Sequence, residues 1–109
     1  MRRSGMVLRL HAHKVEAYKA LHRAVWPEIL ALLGRHGITN YSIYLKEPEN
    51  LLFGYWEYRG TDYAADMQAL SNDPANKAWW EICVPCQLPL EHRHPGEWWA
   101  TMDEVFHLD

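Results

Sequence analysis

The chain has few cysteines and no long hydrophobic run. Only two of its 109 residues are cysteines, Cys83 and Cys86, which is too few for a disulfide-stapled secreted domain and fits a reducing compartment. No run of roughly 18 apolar residues is present, and the N-terminal segment has no continuous apolar stretch of the kind found in signal peptides. We therefore expect a soluble, cytoplasmic protein that does not enter membranes.

Positive charge is also scarce. The 11 Lys and Arg residues are outnumbered by 14 Asp and Glu, which gives a net charge of -3, and they form no basic stripe that could follow a phosphate backbone. The sequence also lacks a glycine-rich phosphate loop, a G-x-S-x-G elbow and a recognisable carboxylate pair. These absences argue against nucleic acid as a partner and against nucleotide enzymes and hydrolases.

Aromatic residues, in contrast, are abundant. The chain contains six Trp and six Tyr, within a hydrophobic content of 49%. That content supports one modest core at this length, so we expect a single domain over residues 1–109. The surplus of Trp and Tyr is typical of a ligand pocket or a subunit interface.

The spacing of the apolar residues predicts an α+β fold. The first helix has a fault at Pro27, and the segment 83–99 is rich in proline and is predicted to be loop. The order β-α-β-β-α-(α)-β is that of a ferredoxin-like split βαβ fold, whose sheet has one bare face that must cover a cleft or pack on a second copy. The predicted strands are 5–12, 38–45, 51–58 and 101–109, and the predicted helices are 14–36, 61–70 and 74–82.

The first predicted helix carries three aromatic side chains at four-residue intervals. Tyr18, His22 and Trp26 would project from one face, because residues four apart stack on a helix. Pro27 cannot donate to the carbonyl of Arg23, so the helix should kink beside this row. Two interpretations stay open: core aromatics with a histidine neighbour, or a pocket wall with an acid–base group at its centre.

The adjacent pair Trp79 and Trp80 lies on the third predicted helix. Successive helical residues differ by about 100° in direction, so one ring should enter a pocket while the other packs. An indole plane can cover the C–H face of a pyranose, and Tyr hydroxyls and His nitrogens can bind its hydroxyl groups. The aromatic composition therefore favours a small sugar as the ligand.

The segment Cys83-Val84-Pro85-Cys86 could suggest redox or metal chemistry. A thioredoxin-type C-x-P-C motif joins a strand to a helix, whereas this one follows a predicted helix and precedes a loop. With His92 and His94 the cysteines could make a zinc site, but the spacing matches no standard finger. We therefore predict no metal and no redox site here.

Several segments together resemble the L-rhamnose mutarotase family, which has related L-fucose mutarotases. They are "YKALHRAVWPEILALLGRHGITNYSIYL", "NLLFGYWE", "KAWW" and the terminal "MDEVFHLD". The resemblance covers nearly the whole chain. It implies a homodimeric, ferredoxin-like α/β barrel that interconverts the α and β anomers of a deoxy sugar without a cofactor.

The resemblance also implies roles for individual residues. His22 resembles the family's proton donor, and Tyr18, Tyr41, Trp79 and Trp80 resemble its sugar-binding residues. Ring opening needs one proton taken from the anomeric hydroxyl and one given to the ring oxygen, which a histidine of near-neutral pKa can handle in both directions. The second proton-handling group stays open between Tyr18 and a bound water.

Trp26 is a further sugar-binding candidate, because it shares the helix face of His22.

The segment after the tryptophan pair departs from the family pattern. The family usually continues there as helix and then an N-P-D-rich loop, whereas this chain has "EICVPCQLPLEHRHPGEWW". We expect this segment to border the pocket mouth, so L-fucose and L-rhamnose stay open as substrates. Two rival functions also stay open: a non-catalytic sugar-binding or regulatory module of the same barrel type, and a small oxygenase of that type.

Overall fold

The computed structural model describes residues 1–109 and contains five strands and four helices. Short 3₁₀ turns lie at Ala12–Lys14 and Val84–Cys86. None of the helices combines the length and the apolar character that crossing a bilayer requires. The strands are β1 Arg2–Leu10, β2 Ile38–Lys46, β3 Leu51–Tyr58, β4 Gln87–Leu88 and β5 Ala100–Met102, and the helices are α1 Val15–Arg23, α2 Pro27–Arg35, α3 Tyr63–Asn72 and α4 Pro74–Cys83.

The sheet is antiparallel, with strand β1 near its centre. Strand order is β2-β3-β1-β4, and β5 also pairs with β1. This order, with a helical crossover between β1 and β2, is that of the ferredoxin-like split βαβ fold. The predicted fold class is therefore confirmed.

The core lies between the helices and one face of the sheet. Strand residues alternate between faces, and Leu8 of β1 pairs in register with Leu52 of β3. Both side chains are almost fully buried, in one cluster with Val15, Ile29 and Trp79 from three helices. Because the helices cover only this face, the cluster holds α1 and α4 against the sheet beside the candidate site.

The single helix predicted over residues 14–36 is in fact two helices. Helix α1 ends at Arg23 and α2 begins at Pro27. Proline suits the first position of a helix, where no amide donor is needed, but inside a helix its ring clashes with the preceding turn. The amide of Ala24 instead bonds the carbonyl of Leu21, so the chain turns at residues 24–26 rather than kinking.

The C-terminal part of the chain also differs from the prediction. The strand expected over 101–109 is limited to β5, and residues 103–109 have no regular structure. Apolar and polar residues do alternate over 101–109, but a strand also needs a neighbouring strand to bond with. Near the start of β1 the tail is instead held by an ion pair of 2.8 Å between Arg3 and Glu104. Within the predicted loop 83–99, residues Gln87–Leu88 form β4 against β1.

Candidate active site

His22 lies in the last turn of α1, and its orientation is set by Tyr18 one turn earlier. The two rings are stacked, with their centroids 4.2 Å apart, and His22 Nδ1 lies 3.0 Å from the backbone carbonyl oxygen of Tyr18. A carbonyl oxygen can only accept a hydrogen bond, so Nδ1 must carry the proton that is donated. In the neutral ring, Nε2 is then the nitrogen with a free lone pair.

The half-buried position of His22 keeps this ring neutral. Burial lowers its pKa below the ordinary value of 6.5, and the hydrogen bond to the Tyr18 carbonyl opposes that shift only in part. A positively charged imidazole loses hydration in such a place, which is why burial favours the neutral form. At neutral pH, His22 can therefore accept a proton through Nε2.

His22 opens onto a cavity of about 410 Å³ between α1, α2 and the sheet, which we call the His22 cavity. Trp79 of α4 lines the cavity beside His22, edge-on to the imidazole with ring centroids 5.5 Å apart. The volume is in the range of small-ligand sites, and the lining is mainly apolar with a few polar groups. Its walls include His22, Ile29, Leu33, Asn40, Tyr41 and Trp79.

Tyr41 is directed toward the cavity by a β-bulge in β2. The register of β2 against β3 shifts between Thr39 and Ser42, and Asn40 there has a left-handed φ of 47°. A bulge inserts an extra residue and re-aims the side chains beside it. The Tyr41 side chain is 37% exposed as a whole, but desolvation of its hydroxyl raises its pKa to about 12, so the phenol stays protonated at neutral pH.

Trp80 lies next to Trp79 in the sequence but faces a different cavity. This space of about 290 Å³, which we call the tryptophan cavity, shares the Tyr41 wall with the His22 cavity. The division follows from helix geometry, because neighbouring residues point in directions about 100° apart. The lining of the tryptophan cavity includes Tyr41, Trp56, Trp80, Gln87, Trp98 and Trp99.

Tyr18 itself is buried and contacts one lining residue of each cavity. Its ring contacts His22 of the first cavity, and its hydroxyl accepts a hydrogen bond of 3.3 Å from the Gln87 amide of the second. Burial raises the pKa of Tyr18 well above its usual range. Nothing in the sequence near Gln87 indicated this contact, which joins residues 69 positions apart.

The structure does not bring Trp26 into the His22 cavity. Trp26 is the N-cap residue of α2, and the break before Pro27 turns it away from the row of Tyr18 and His22. It packs edge-on against Trp79, with ring centroids 5.1 Å apart, and lines an open hollow on the helical surface. The position of Trp26 therefore supports the Trp79 wall from behind.

The cysteines and loop histidines do not form a metal site. Cys83 and Cys86 are buried free thiols in the core, while His92 and His94 are exposed. No group of three or more His, Cys, Asp or Glu side chains is arranged to hold a metal ion. Since Cys83 and Cys86 pack with apolar neighbours, their role in the structure is that of small core residues.

Comparison with known proteins gives a consistent match along the chain. The sequence model of a family described as L-rhamnose mutarotase matches residues 3–108. A protein named L-rhamnose mutarotase from Oceanobacillus iheyensis is 33% identical over 109 residues, which is all of both chains. Another of that name, from Sinorhizobium medicae, is 40% identical over 108 residues, or 99% of each chain.

A solved structure resembles this fold closely. The crystal structure of an L-rhamnose mutarotase from Formosa agariphila superposes with a TM-score of 0.78 at 25% identity, and the match covers 100% of both chains. The likeness therefore extends over every element described above, including α1, the bulged β2 and α4, which carry the candidate site.

Proposed function

This chain belongs to the L-rhamnose mutarotase family, and from that premise we propose that its sugar is L-rhamnose and that His22 exchanges protons with the pyranose. The activity itself is the interconversion of α and β anomers, an isomerase reaction, which the names of the relatives support. The non-catalytic alternative has no support among these proteins.

The observation that carries the proposal is a neutral imidazole in a cavity wall, with one ring nitrogen left free by the protein. His22 Nδ1 is occupied by the Tyr18 carbonyl, which leaves Nε2 to take the proton of the anomeric hydroxyl as the C1–O5 bond breaks. The ring oxygen gains a proton from the second group, Tyr18 or a bound water, and the aldehyde then rotates about the C1–C2 bond. Closure on the other face of the aldehyde returns one proton to that group and the other from His22 to the new anomeric hydroxyl. A positioned acid–base group of this kind contributes about 10²- to 10⁴-fold.

The phenols and indoles supply the binding groups in this proposal. Tyr41 stays protonated because burial raises its pKa to about 12, so it donates to a sugar oxygen. Trp79 is 6% exposed and lies beside His22 in the cavity wall, where the exposed part of its indole can pack against C–H groups of the pyranose. Trp80 lines the tryptophan cavity, and Tyr18 contacts His22 of one cavity and Gln87 of the other; in this proposal both residues complete the sugar contacts.

Exchange NMR on a panel of aldoses tests this function. L-rhamnose and L-fucose both carry a methyl group on C5 but differ in the configuration at C2 and C4, so they separate recognition of the methyl group from recognition of the hydroxyls. We expect the protein to accelerate exchange between the H1 signals of the L-rhamnose anomers more than those of L-fucose. A larger acceleration for L-fucose would overturn the choice of sugar, and none for any aldose would overturn the function.

We also propose that the chain forms a homodimer through the bare face of its sheet. Tyr44, Phe53 and Val7 lie side by side in register on that face, and Tyr44 and Phe53 are 67% and 36% exposed. The C-terminal tail also exposes Val105 and Phe106, both at least 80% exposed. Large exposed apolar side chains on a sheet face are typical of a surface that binds a partner.

Sedimentation velocity tests the homodimer. Phe53→Glu should shift the wild-type dimer toward monomer, because the new charge would be desolvated at the interface. Ile82→Glu is the matched control, since Ile82 is 42% exposed but lies on α4, on the opposite side of the molecule. A monomeric wild type, or a dimer that Phe53→Glu leaves intact, would contradict this interface.

A further inference from the structure

Gln87 is one of only two polar residues that are buried in this protein. The other, Asn76, donates to a backbone carbonyl at the end of α3 and so closes that helix. Gln87 differs because the nitrogen and the oxygen of its amide each form a hydrogen bond with another side chain. Its nitrogen lies 3.3 Å from the Tyr18 hydroxyl and its oxygen accepts from Trp98 Nε1 at 2.8 Å.

The chemistry of Trp98 fixes which way this amide points. An indole N–H can only donate, so the atom of Gln87 that faces Trp98 must be the carbonyl oxygen. The NH₂ group then faces Tyr18, and since an amide NH₂ can only donate, the phenol oxygen must accept. The orientation of the Gln87 amide thus follows from Trp98 even though the two ends of an amide look alike.

The consequence concerns the proton of the Tyr18 hydroxyl. Gln87 is its only hydrogen-bond partner in the protein, and because Gln87 donates, the O–H of Tyr18 has no acceptor. Tyr18 is only 5% exposed, and leaving a buried donor without a partner is unfavourable, because the group has lost its hydrogen bonds to water. Gln87 lines the tryptophan cavity, so a ligand oxygen that reaches the Tyr18 hydroxyl beside Gln87 would satisfy this donor.

We propose that Gln87 is a positioning residue: held by Trp98, it donates to the Tyr18 oxygen and so commits the Tyr18 O–H to donate to an oxygen of the sugar. This inference rests on the proposed function, because it takes the sugar as the missing acceptor. It also gives the segment after α4 a part in the site. Trp98 belongs to that segment and reaches the buried amide from a side chain that is 40% exposed.

Two substitutions of Gln87 distinguish positioning from packing. Gln87→Met keeps the length of the side chain but removes both hydrogen bonds, and we expect kcat/KM for L-rhamnose to fall about ten-fold, the effect of one hydrogen bond of typical strength. Gln87→Glu keeps the acceptor for Trp98 but replaces the donor with oxygen, so Tyr18 donates to the new carboxylate instead of to the sugar. We expect a larger rise in KM for Gln87→Glu than for Gln87→Met.

A double-mutant cycle with Tyr18 provides the readout that packing would not move. In a Tyr18→Phe background the hydroxyl donor is gone, so Gln87→Met should lower kcat/KM for L-rhamnose less than two-fold. The reason is that the effects of two residues that act through one contact are not additive. Asn76→Ala is the control: it should lower the melting temperature and leave kcat/KM unchanged. The side-chain ¹H–¹⁵N signal of Trp98 should move upfield in Gln87→Met, where the hydrogen bond is lost.

The outcomes separate this inference from the proposed function. A wild type without mutarotase activity overturns the function, and the Trp98 signal together with calorimetric L-rhamnose binding then still tests Gln87. Wild-type kcat/KM in Gln87→Met, a loss that simply adds to that of Tyr18→Phe, or an unmoved Trp98 signal would each overturn the role of Gln87.

Discussion

The imidazole of His22 stacks on the ring of Tyr18 at 4.2 Å and donates through Nδ1 to the carbonyl oxygen of the same residue. One residue therefore sets both the plane and the tautomer of the proposed base. The hydroxyl of Tyr18 has a separate partner, Gln87. The ring, the carbonyl and the hydroxyl of Tyr18 can thus be tested independently.

Two substitutions of Tyr18 should differ in effect. Tyr18→Phe keeps the stacked ring and removes only the hydroxyl, so we expect a loss of about ten-fold in kcat/KM, as for one hydrogen bond. Tyr18→Leu also removes the aromatic surface against His22, and we expect a further loss because the imidazole is then free to rotate. Equal losses in the two variants, measured by exchange NMR, would contradict a role for the stack.

The pH dependence of activity should follow the His22 imidazole. Because burial lowers its pKa below 6.5, the neutral base persists to a lower pH than in an exposed histidine. We expect kcat/KM, corrected for the uncatalysed rate, to be constant at neutral pH and to fall only below pH 6.5. A ¹H–¹³C NMR titration of His22 should show its protonation over the same pH range. An acidic limb centred above pH 6.5 would contradict this assignment.

The same shift in pKa links pH to stability. Above pH 6.5 the His22 ring is neutral in both the folded and the unfolded chain, so it does not make the free energy of unfolding depend on pH. As the pH falls below 6.5, the unfolded chain takes up a proton more readily than the folded one, so the free energy of unfolding decreases until the folded pKa is passed. In His22→Gln, urea titrations should show a smaller decrease over this range.

The two adjacent tryptophans should differ in their contribution to stability. Trp79 is 6% exposed and packs in the core, whereas Trp80 is 40% exposed. We expect Trp79→Ala to cost about 3–5 kcal/mol of unfolding free energy, the usual cost of removing a buried aromatic side chain, and Trp80→Ala to cost clearly less. Urea unfolding of both variants measures the difference, and equal losses would contradict the placement of the two rings.

The cysteines should be unreactive in the folded protein. Burial raises the pKa of the Cys83 thiol to about 12, and both thiols lie within the core. The thiolate is the reactive form, so Ellman's reagent should react only slowly with the native protein. After unfolding in urea, it should react readily with both thiols. Rapid reaction in the native state would show that these side chains are accessible.

The fold was predictable because its signals are local. The hairpin of β2 and β3 follows from alternation on either side of a turn, and β3 has the predicted bounds, Leu51–Tyr58. The contact between Tyr18 and His22 also follows from their four-residue spacing on one helix. The final strand was overextended, since alternation alone does not say whether a strand has a partner.

The rest of the site depends on contacts that the sequence pattern does not encode. The bulge that turns Tyr41 inward arises from a register shift between two strands. The contact between Gln87 and Tyr18 depends on where β4 joins the sheet, next to the end of β1. The placement of Trp26 behind Trp79, outside the His22 cavity, follows from the break at Pro27, where spacing predicted a continuous helix face.

The most direct test of the account is the anomeric exchange rate of L-rhamnose with His22→Gln, which keeps a hydrogen-bonding side chain but cannot take up a proton near neutral pH. We predict that this variant folds, binds L-rhamnose within a few-fold of wild-type affinity in calorimetry, and loses about 10²- to 10⁴-fold in the catalysed H1 exchange rate. An exchange rate within a few-fold of wild type would contradict the proposal that His22 carries the proton.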